Sequence, residues 1–387
     1  MLDMKKIVLS IVVLALSSCS TVDDYMLGKD NTQPPAVLEP IAAKDKVALK
    51  WSVPVGSTQK SSAFQKLKPA LSGNIIYTAD ASGIMQAVNK KDGSVLWMKK
   101  INAGIISGPT VVNGHIAVGT DTSKIVVLKQ ADGSELWQSN VSGDVLSKPV
   151  ITNNKVIAKT IDGNLYAFDL NTGKELWLSE HGSPSLILKA SSSPVIVDNH
   201  IALVGYSDGK MDAVDLTNGQ LLWQRSIAYA SGASDVERLV DIDADPIVQN
   251  GVALLASYQG YIGALSLSSG EFIWRKPAST YKNIVVSGNV LYMTDSDDVI
   301  WAYNKQNGQV IWKQVALKAR GLTEPLLVAN RLVVGDKSGF VHVLSIQNGE
   351  FVARTQLSGA INIAPAVAGK NIYVMTANGK LNRISVS

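Results

Sequence analysis

The sequence contains a single cysteine, Cys19, among 387 residues, which excludes a disulfide within the chain and any thiolate metal cluster. Histidine is almost as scarce, and His115, His181, His200 and His342 include no pair at the short spacing of a metal site. They read as ordinary strand or loop residues. No excess of one charge sign exists: 36 basic against 32 acidic residues give +4, too weak and too evenly spread for a nucleic-acid footprint. No apolar run approaches the roughly 20 residues of a spanning helix, and no segment sustains a 3.6-residue apolar period. G-x-S-x-G and P-loop signatures are also missing, so no catalytic constellation is expected and the chain reads as a non-enzyme. Asp295, Ser296, Asp297 and Asp298 lack the alternating ligands and closing glutamate of an EF-hand loop and read as a polar hairpin turn. Neither a cofactor nor a metal site is expected.

The first residues are more specific. Lys5 and Lys6 precede a mostly apolar run from Ile7 to Leu16, followed by Ser17, Ser18 and Cys19. That is the layout of an export signal covering residues 1–18. Leu16-Ser17-Ser18-Cys19 resembles the lipobox of bacterial lipoproteins, which implies that Cys19 is acylated and becomes the first mature residue. Acyl chains hold a protein on a bilayer at about 0.8 kcal/mol per buried CH₂, without a spanning helix. Ser20, rather than an aspartate, implies by the same resemblance sorting to the outer membrane, with the chain facing the periplasm. Residues 19–45 include Asp23, Asp24, Gln33, Pro34 and Pro35 with few apolar clusters, the composition of a tether.

From residue 46 onward a repeat dominates. Asp92-Gly93-Ser94-Val95-Leu96-Trp97 recurs as Asp132 to Trp137, Thr172 to Trp177, Asn218 to Trp223, Ser269 to Trp274 and Asn307 to Trp312. Asn348 to Ala353 is a further copy without the tryptophan, and Trp51 stands in a similar strand without the glycine turn. Within a unit such as 149–178, four short β-rich runs alternate with Asn, Asp and Gly turn signals. Four strands per repeat of about 40 residues is the signature of a propeller blade. The last unit has three strands and the Trp51 strand stands alone, so pairing the two completes an eighth blade and removes the open sheet edges. The expectation is an all-β, eight-bladed β-propeller over residues 46–387, closed by its N-terminal strand. At one fixed place per blade, the tryptophans serve to wedge adjacent sheets together.

Irregular spacing singles out a candidate binding site. From the tryptophan position to the proline opening the next blade the interval is 12 residues after 97, 137 and 353 and 13 after 312, but 18 after Trp51, 17 after Trp177 and 23 after Trp223. These connections emerge on one face, and those after Trp177 and Trp223 flank blade four, where elevated loops on a rigid scaffold bind partners. The first carries the apolar run around Leu186, Ile187 and Leu188; the second alternates Asp241, Asp243 and Asp245. If extended, the second points its carboxylates to one side. One reading is an exposed apolar anchor beside an acidic rim. In the other, the leucines pin the loop to the blade and the aspartates are merely solvated.

The blade motif, as in Ala167 to Trp177 and Ala213 to Trp223, resembles the tryptophan-docking repeat of pyrroloquinoline-quinone dehydrogenases. That resemblance implies the fold; the enzymes also need a metal and an adjacent-cysteine disulfide, and one cysteine cannot supply the latter. A quinoprotein oxidoreductase and a cell-wall glycan binder stacking sugars on tryptophan are the competing readings. With its lipobox, eight units and the segment Glu237 to Pro246, the whole chain from Lys5 onward is similar to the propeller lipoproteins of the outer-membrane β-barrel assembly machinery. The resemblance implies a non-catalytic scaffold that binds the POTRA domains of the central barrel-assembly protein and aids insertion of outer-membrane β-barrels, with nascent outer-membrane proteins as a further class of contact. Leu186, Leu188, Lys189, Asp241 and Asp243 match positions implicated in binding that protein. Lys189 replaces an arginine there and would lose a bidentate contact.

Cys19→Ala with the signal otherwise intact should release a folded protein into the soluble periplasm. Retention in the outer-membrane fraction after a salt wash would show that acylation is not the anchor.

Overall fold

The computed structural model describes residues 33–56, 66–184, 186–188, 191–229, 233–234 and 238–387. The expected signal, Cys19 and most of the expected tether lie outside these residues, as does Lys189. Ala36–Ser387 form one compact unit.

Blade three shows how the repeat becomes structure. Its strands are Val150–Thr152, Lys155–Lys159, Leu165–Asp169 and Glu175–Ser179, joined in that order into an antiparallel sheet. Asn153 and Asn154, at φ +46° and +57°, make the first tight turn, since asparagine tolerates the left-handed region that such hairpins need. The third turn is organised by Asp169, whose Oδ1 accepts from the backbone N–H of Thr172 at 2.9 Å and from its hydroxyl at 2.8 Å. The middle strands are buried along most of their length and read as near-continuous apolar runs; the outer strand, partly solvated, alternates.

The described residues contain eight such four-stranded sheets. Seven are consecutive in sequence. The eighth joins Ala366–Ala368, Asn371–Thr376 and Lys380–Val386 to the N-terminal strand Val47–Pro54, with Val47 opposite Val386 and Val53 opposite Leu381. The expected clasp is therefore present. Apolar packing lies between blades rather than within them: one cluster joins Ile157, Leu165, Ala167 and Trp177 of blade three to Ala202, Val204, Val214 and Leu216 of blade four.

The tryptophans set the wedge. The outer-strand tryptophans other than Trp223 donate Nε1–H to a carbonyl in the third turn of the following blade, as Trp137 does to Leu170 at 2.8 Å and Trp312 to Ile346 at 3.0 Å. Trp51 donates to Lys91, at 3.2 Å, and so carries the same contact across the clasp. The ring lies on the turn glycine so closely that a Cβ on Gly173 would come within 2.5 Å of Trp137, and Gly173 also has φ +70°. Glycine is required there twice over. At Gly270 the neighbour is instead Arg225, whose guanidinium sits 5.9 Å from the Trp223 ring.

The missing tryptophan at Ala353 has a topological cause. Ala353 pairs with Val343 as Trp177 pairs with Ala167, so it occupies the docking position of blade seven. Blade eight has no third turn to receive a ring, because its third and fourth strands come from opposite ends of the chain. The entering segment takes that space: the backbone N–H groups of Lys44 and Asp45 both donate to Val352 O.

Residues 36–45, assigned by composition to the tether, run along the propeller. Ala36 N–H donates to Lys318 O at 2.9 Å, Arg354 donates to Glu39 O at 3.0 Å, Asp45 pairs with Arg331 at 2.5 Å, and Leu38 packs among apolar residues of blades six and seven. The docked chain thus begins about ten residues earlier than composition suggests. Two of the charges in this stretch have partners, Asp45 with Arg331 and Lys44 with Glu350.

Gly173→Ala should cost about 2 kcal/mol or more, from left-handed strain and a displaced indole, seen as a lower urea midpoint. Ala353→Trp, which restores the repeat consensus, should not stabilise, because its ring has no turn to dock on.

Candidate functional site

The two long insertions do meet, at the entry to blades four and five. His181 opens the first insertion, with its ring stacked on Tyr206 at 3.5 Å between centroids. Its Nδ1 lies 2.6 Å from Asp212 and its Nε2 3.2 Å from Asp208. Burial opposes a charge on His181, but the two carboxylates outweigh it and hold the imidazolium to a pKa of about 9. The carboxylates contact opposite ring nitrogens, so they do not converge on one ion; among the described residues no His, Cys, Asp or Glu group is placed to hold a metal.

Beyond His181 the insertion is tied to its neighbour by backbone-to-carboxylate bonds. Leu188 N–H donates to Asp241 Oδ2 at 2.6 Å, and Ser193 N–H donates to Asp245 Oδ1 at 2.6 Å. Leu186 is left 44% exposed and Leu188 half-buried. Tyr229, at the start of the second insertion, is 63% exposed and adds apolar surface that the spacing argument did not single out.

The acidic rim expected from alternation is not at the surface. Asp241 and Asp243 are fully buried, and Asp245 is half-buried. Val240, Ile242 and Ala244 are buried along with the aspartates, so the segment as a whole is covered; it is held by Ile242 N–H donating to Tyr206 O and by Tyr258 N–H donating to Asp241 O. The reading of these aspartates as solvated fails for the same reason. Beneath them, Lys159 is also buried and donates to Gly205 O at 2.5 Å, with its ammonium 5.2 Å from the Tyr206 ring. Lys66, from the insertion after Trp51, donates to Asp243 O at 3.1 Å and forms an ion pair with Asp245. Residues 66 and 245 precede blades one and five, so this lysine spans the channel.

Burial governs the protonation of this cluster. Desolvation raises Asp241 to about 7 against the pull of the Leu188 N–H, and lowers Lys159 to about 7. Asp243 is raised well above the carboxylate range, first by desolvation and then by the Asp241 charge; among the described residues neither of its carboxyl oxygens has a hydrogen-bond partner. Sequence reasoning missed Lys159, Tyr206 and Lys66. The long interval after Trp51 was the available signal for Lys66; Lys159 sits inside a regular strand and carries none.

Asp295 is a turn organiser, as expected: its Oδ1 accepts from Val299 N–H at 2.8 Å and its Oδ2 from Trp301 Nε1–H at 2.8 Å. The tryptophan rings that could have stacked on sugars are engaged between blades, with Trp137, Trp177, Trp274 and Trp312 buried.

Comparison with known proteins adds a consistent set of likenesses. A family model described as outer membrane protein assembly factor BamB matches residues 100–314 and 315–387. A protein of that name from Legionella pneumophila is 63% identical over 385 residues, covering 99% of this chain and 100% of the relative. Those from Pseudomonas aeruginosa and Escherichia coli K12 are 39% and 35% identical, covering 98% and 87% of this chain and 98% and 88% of the relatives. Among solved structures, BamB from Moraxella catarrhalis superposes with a TM-score of 0.80 at 24% identity, over 88% of this chain and all of that one. A quinohemoprotein alcohol dehydrogenase from Comamonas testosteroni has the same fold, at a TM-score of 0.69 and 14% identity, over 88% of this chain and 76% of that one.

Asp243→Asn should raise the thermal midpoint, and more at pH 8 than at pH 5. A carboxyl whose folded pKa is raised holds its proton over a range where the unfolded chain has lost it, so stability falls as pH rises through that window. The amide removes this penalty.

Proposed function

This chain belongs to the family of outer membrane protein assembly factor BamB, and from that membership we propose that it docks on the POTRA domains of the central barrel-assembly protein through the two insertions flanking blade four. It is a non-catalytic assembly factor of the β-barrel assembly complex. The finer reading places it on the outer membrane by an acylated Cys19, with the propeller in the periplasm, and residues between the anchor and Ala36 as the leash.

The observation that carries the docking reading is the exposed Leu186, presented on a loop whose backbone is fixed from below by Asp241. An apolar side chain held in place loses little conformational entropy on binding, which favours it as an interface anchor. Tyr229 extends the same surface with an aromatic ring. Asp241 and Asp243 contribute as positioning residues: they set the path of the loop, and the partner meets the leucine. Lys189 remains a proposed contact by its place in the same loop. The likeness to quinoprotein dehydrogenases carries the fold alone.

Leu186→Asp with Leu188→Asp should weaken binding to a purified POTRA array by about 2 kcal/mol or more, the scale of an interface hot spot, with little change in the thermal midpoint. Unchanged affinity would remove the site, and a collapsed midpoint would make the leucines packing residues. Asp241→Ala should weaken binding without altering its salt dependence, because the carboxylate is beneath the loop; a flattened salt dependence would return it to the interface.

A further inference from the structure

One position recurs in every blade: the residue just before the blade-opening proline, or before Ile284 in blade six, which is two before the first strand in seven blades and lies within Ile105–Val112 in blade two. Around the ring it is Lys68, Gly108, Lys148, Ser193, Asp245, Asn283, Glu324 and Ala364. Six of these eight line a cavity of about 250 Å³ at the channel mouth, together with Lys66, Lys282, Asn362 and an apolar wall of Leu322 and Ile363.

Charge pairing around this ring is incomplete. Lys68 pairs with Glu324 at 2.9 Å, Lys66 pairs with Asp245, and Lys282 pairs at 2.7 Å with Asp298. Among the described residues the Lys148 ammonium has neither a hydrogen bond nor an ion pair, and the Asn362 amide is also unengaged. The cavity therefore presents one uncompensated cation, one free amide and a hydrophobic wall. Desolvation lowers the pKa of Lys148, so an anion delivered to it would recover interaction that burial has removed.

We propose that the channel mouth binds a carboxylate, with Lys148 as its counter-ion, Asn362 as a hydrogen-bond donor and the Leu322 and Ile363 wall receiving an apolar substituent. A single free cation matches a monoanion, and the wall selects one that bears an aliphatic group. The group is supplied either by a small carboxylic acid or by the C-terminus of a polypeptide. The cavity shares Asp245 with the second insertion, but Lys148, Asn362, Leu322 and Ile363 lie outside both insertions, and the inference does not depend on the partner reading given above.

Calorimetric titration of the purified chain tests it with N-acetyl-leucine, N-acetyl-leucine amide, and a short peptide ending in leucine as the free acid or as the amide. Both acids binding, with neither amide doing so, assigns the site to chain termini as well as small acids; binding of N-acetyl-leucine alone assigns it to small acids. Lys148→Met should reduce acid binding about tenfold or more, the scale of one charge-assisted contact. Glu324→Gln frees Lys68 and should strengthen it, which keeps the test decisive if Lys148→Met folds poorly. Equal binding of acids and amides, no binding by any probe, or unchanged affinity in both variants would overturn the proposal.

Discussion

A tryptophan of one blade lying on the glycine turn of the next is the contact on which the rest of this molecule depends. A single four-stranded sheet of this size cannot bury both faces, and with no disulfide available nothing covalent holds the blades in a ring. The indole does three jobs at one place: it fills the widening gap between outer strands, donates a hydrogen bond to the neighbouring turn and fixes the turn's register. Since each ring reaches forward by one blade, the contact propagates around the propeller, and Trp51 carries it over the seam where the chain's two ends meet. The series departs from this pattern at two places, at Gly270, where Arg225 is the neighbour, and at Ala353. Where no turn exists to be clamped, at Ala353, no tryptophan is present, and the peptide groups of Lys44 and Asp45 satisfy Val352 instead.

A ring fixed at its rim leaves its inter-blade connections free to differ, and the differences are confined to three of them. The insertion after Trp51 sends Lys66 across the channel to Asp245, which also receives the backbone of Ser193. One carboxylate thus joins three connections that are distant in sequence. Asp241 makes a second tie, to Leu188. These contacts place carboxylates in surroundings that favour their neutral forms, and among the described residues the Asp243 carboxyl has no hydrogen bond, with only the charges of Lys66 and Lys159 acting against its burial. The scaffold is stable enough to carry such a cluster, and the cluster gives the exposed Leu186 a defined position.

Much of the fold was legible because its determinants are local and repeated. Glycine turns, β-rich runs and one tryptophan per unit recur at nearly constant spacing, and the three-strand last unit announces the clasp. The insertions were legible through the same spacing, as departures from it. What could not be read is the direction in which side chains of irregular segments point. Alternation at Asp241, Asp243 and Asp245 suggests an acidic side turned to solvent, whereas Val240, Ile242 and Ala244 between them are buried together with Asp241 and Asp243. That burial goes with hydrogen bonds to Tyr206 O and from Tyr258 N–H, partners supplied by other parts of the chain. The extent of the docked chain was hidden similarly: Asp45 looks solvated until Arg331, far along the sequence, is found beside it.

The channel mouth shows how a repeat can carry information that neither its consensus nor its insertions reveal. The position before the blade-opening proline recurs in every blade, and six of the eight residues there line one cavity whatever their identity. A ring of like residues would be read as part of the repeat; here lysine, aspartate, asparagine, glutamate and small residues alternate. Two acids at this position meet two lysines, Lys66 and Lys68, that come from one insertion. Had Lys66 been absent, Asp245 would have been left for Lys148, and the ring would have been neutral. The insertion after Trp51 therefore does more than bridge the channel: by occupying Asp245 it leaves Lys148 as the uncompensated cation in a desolvated cavity, and so determines the sign of charge that the channel accepts.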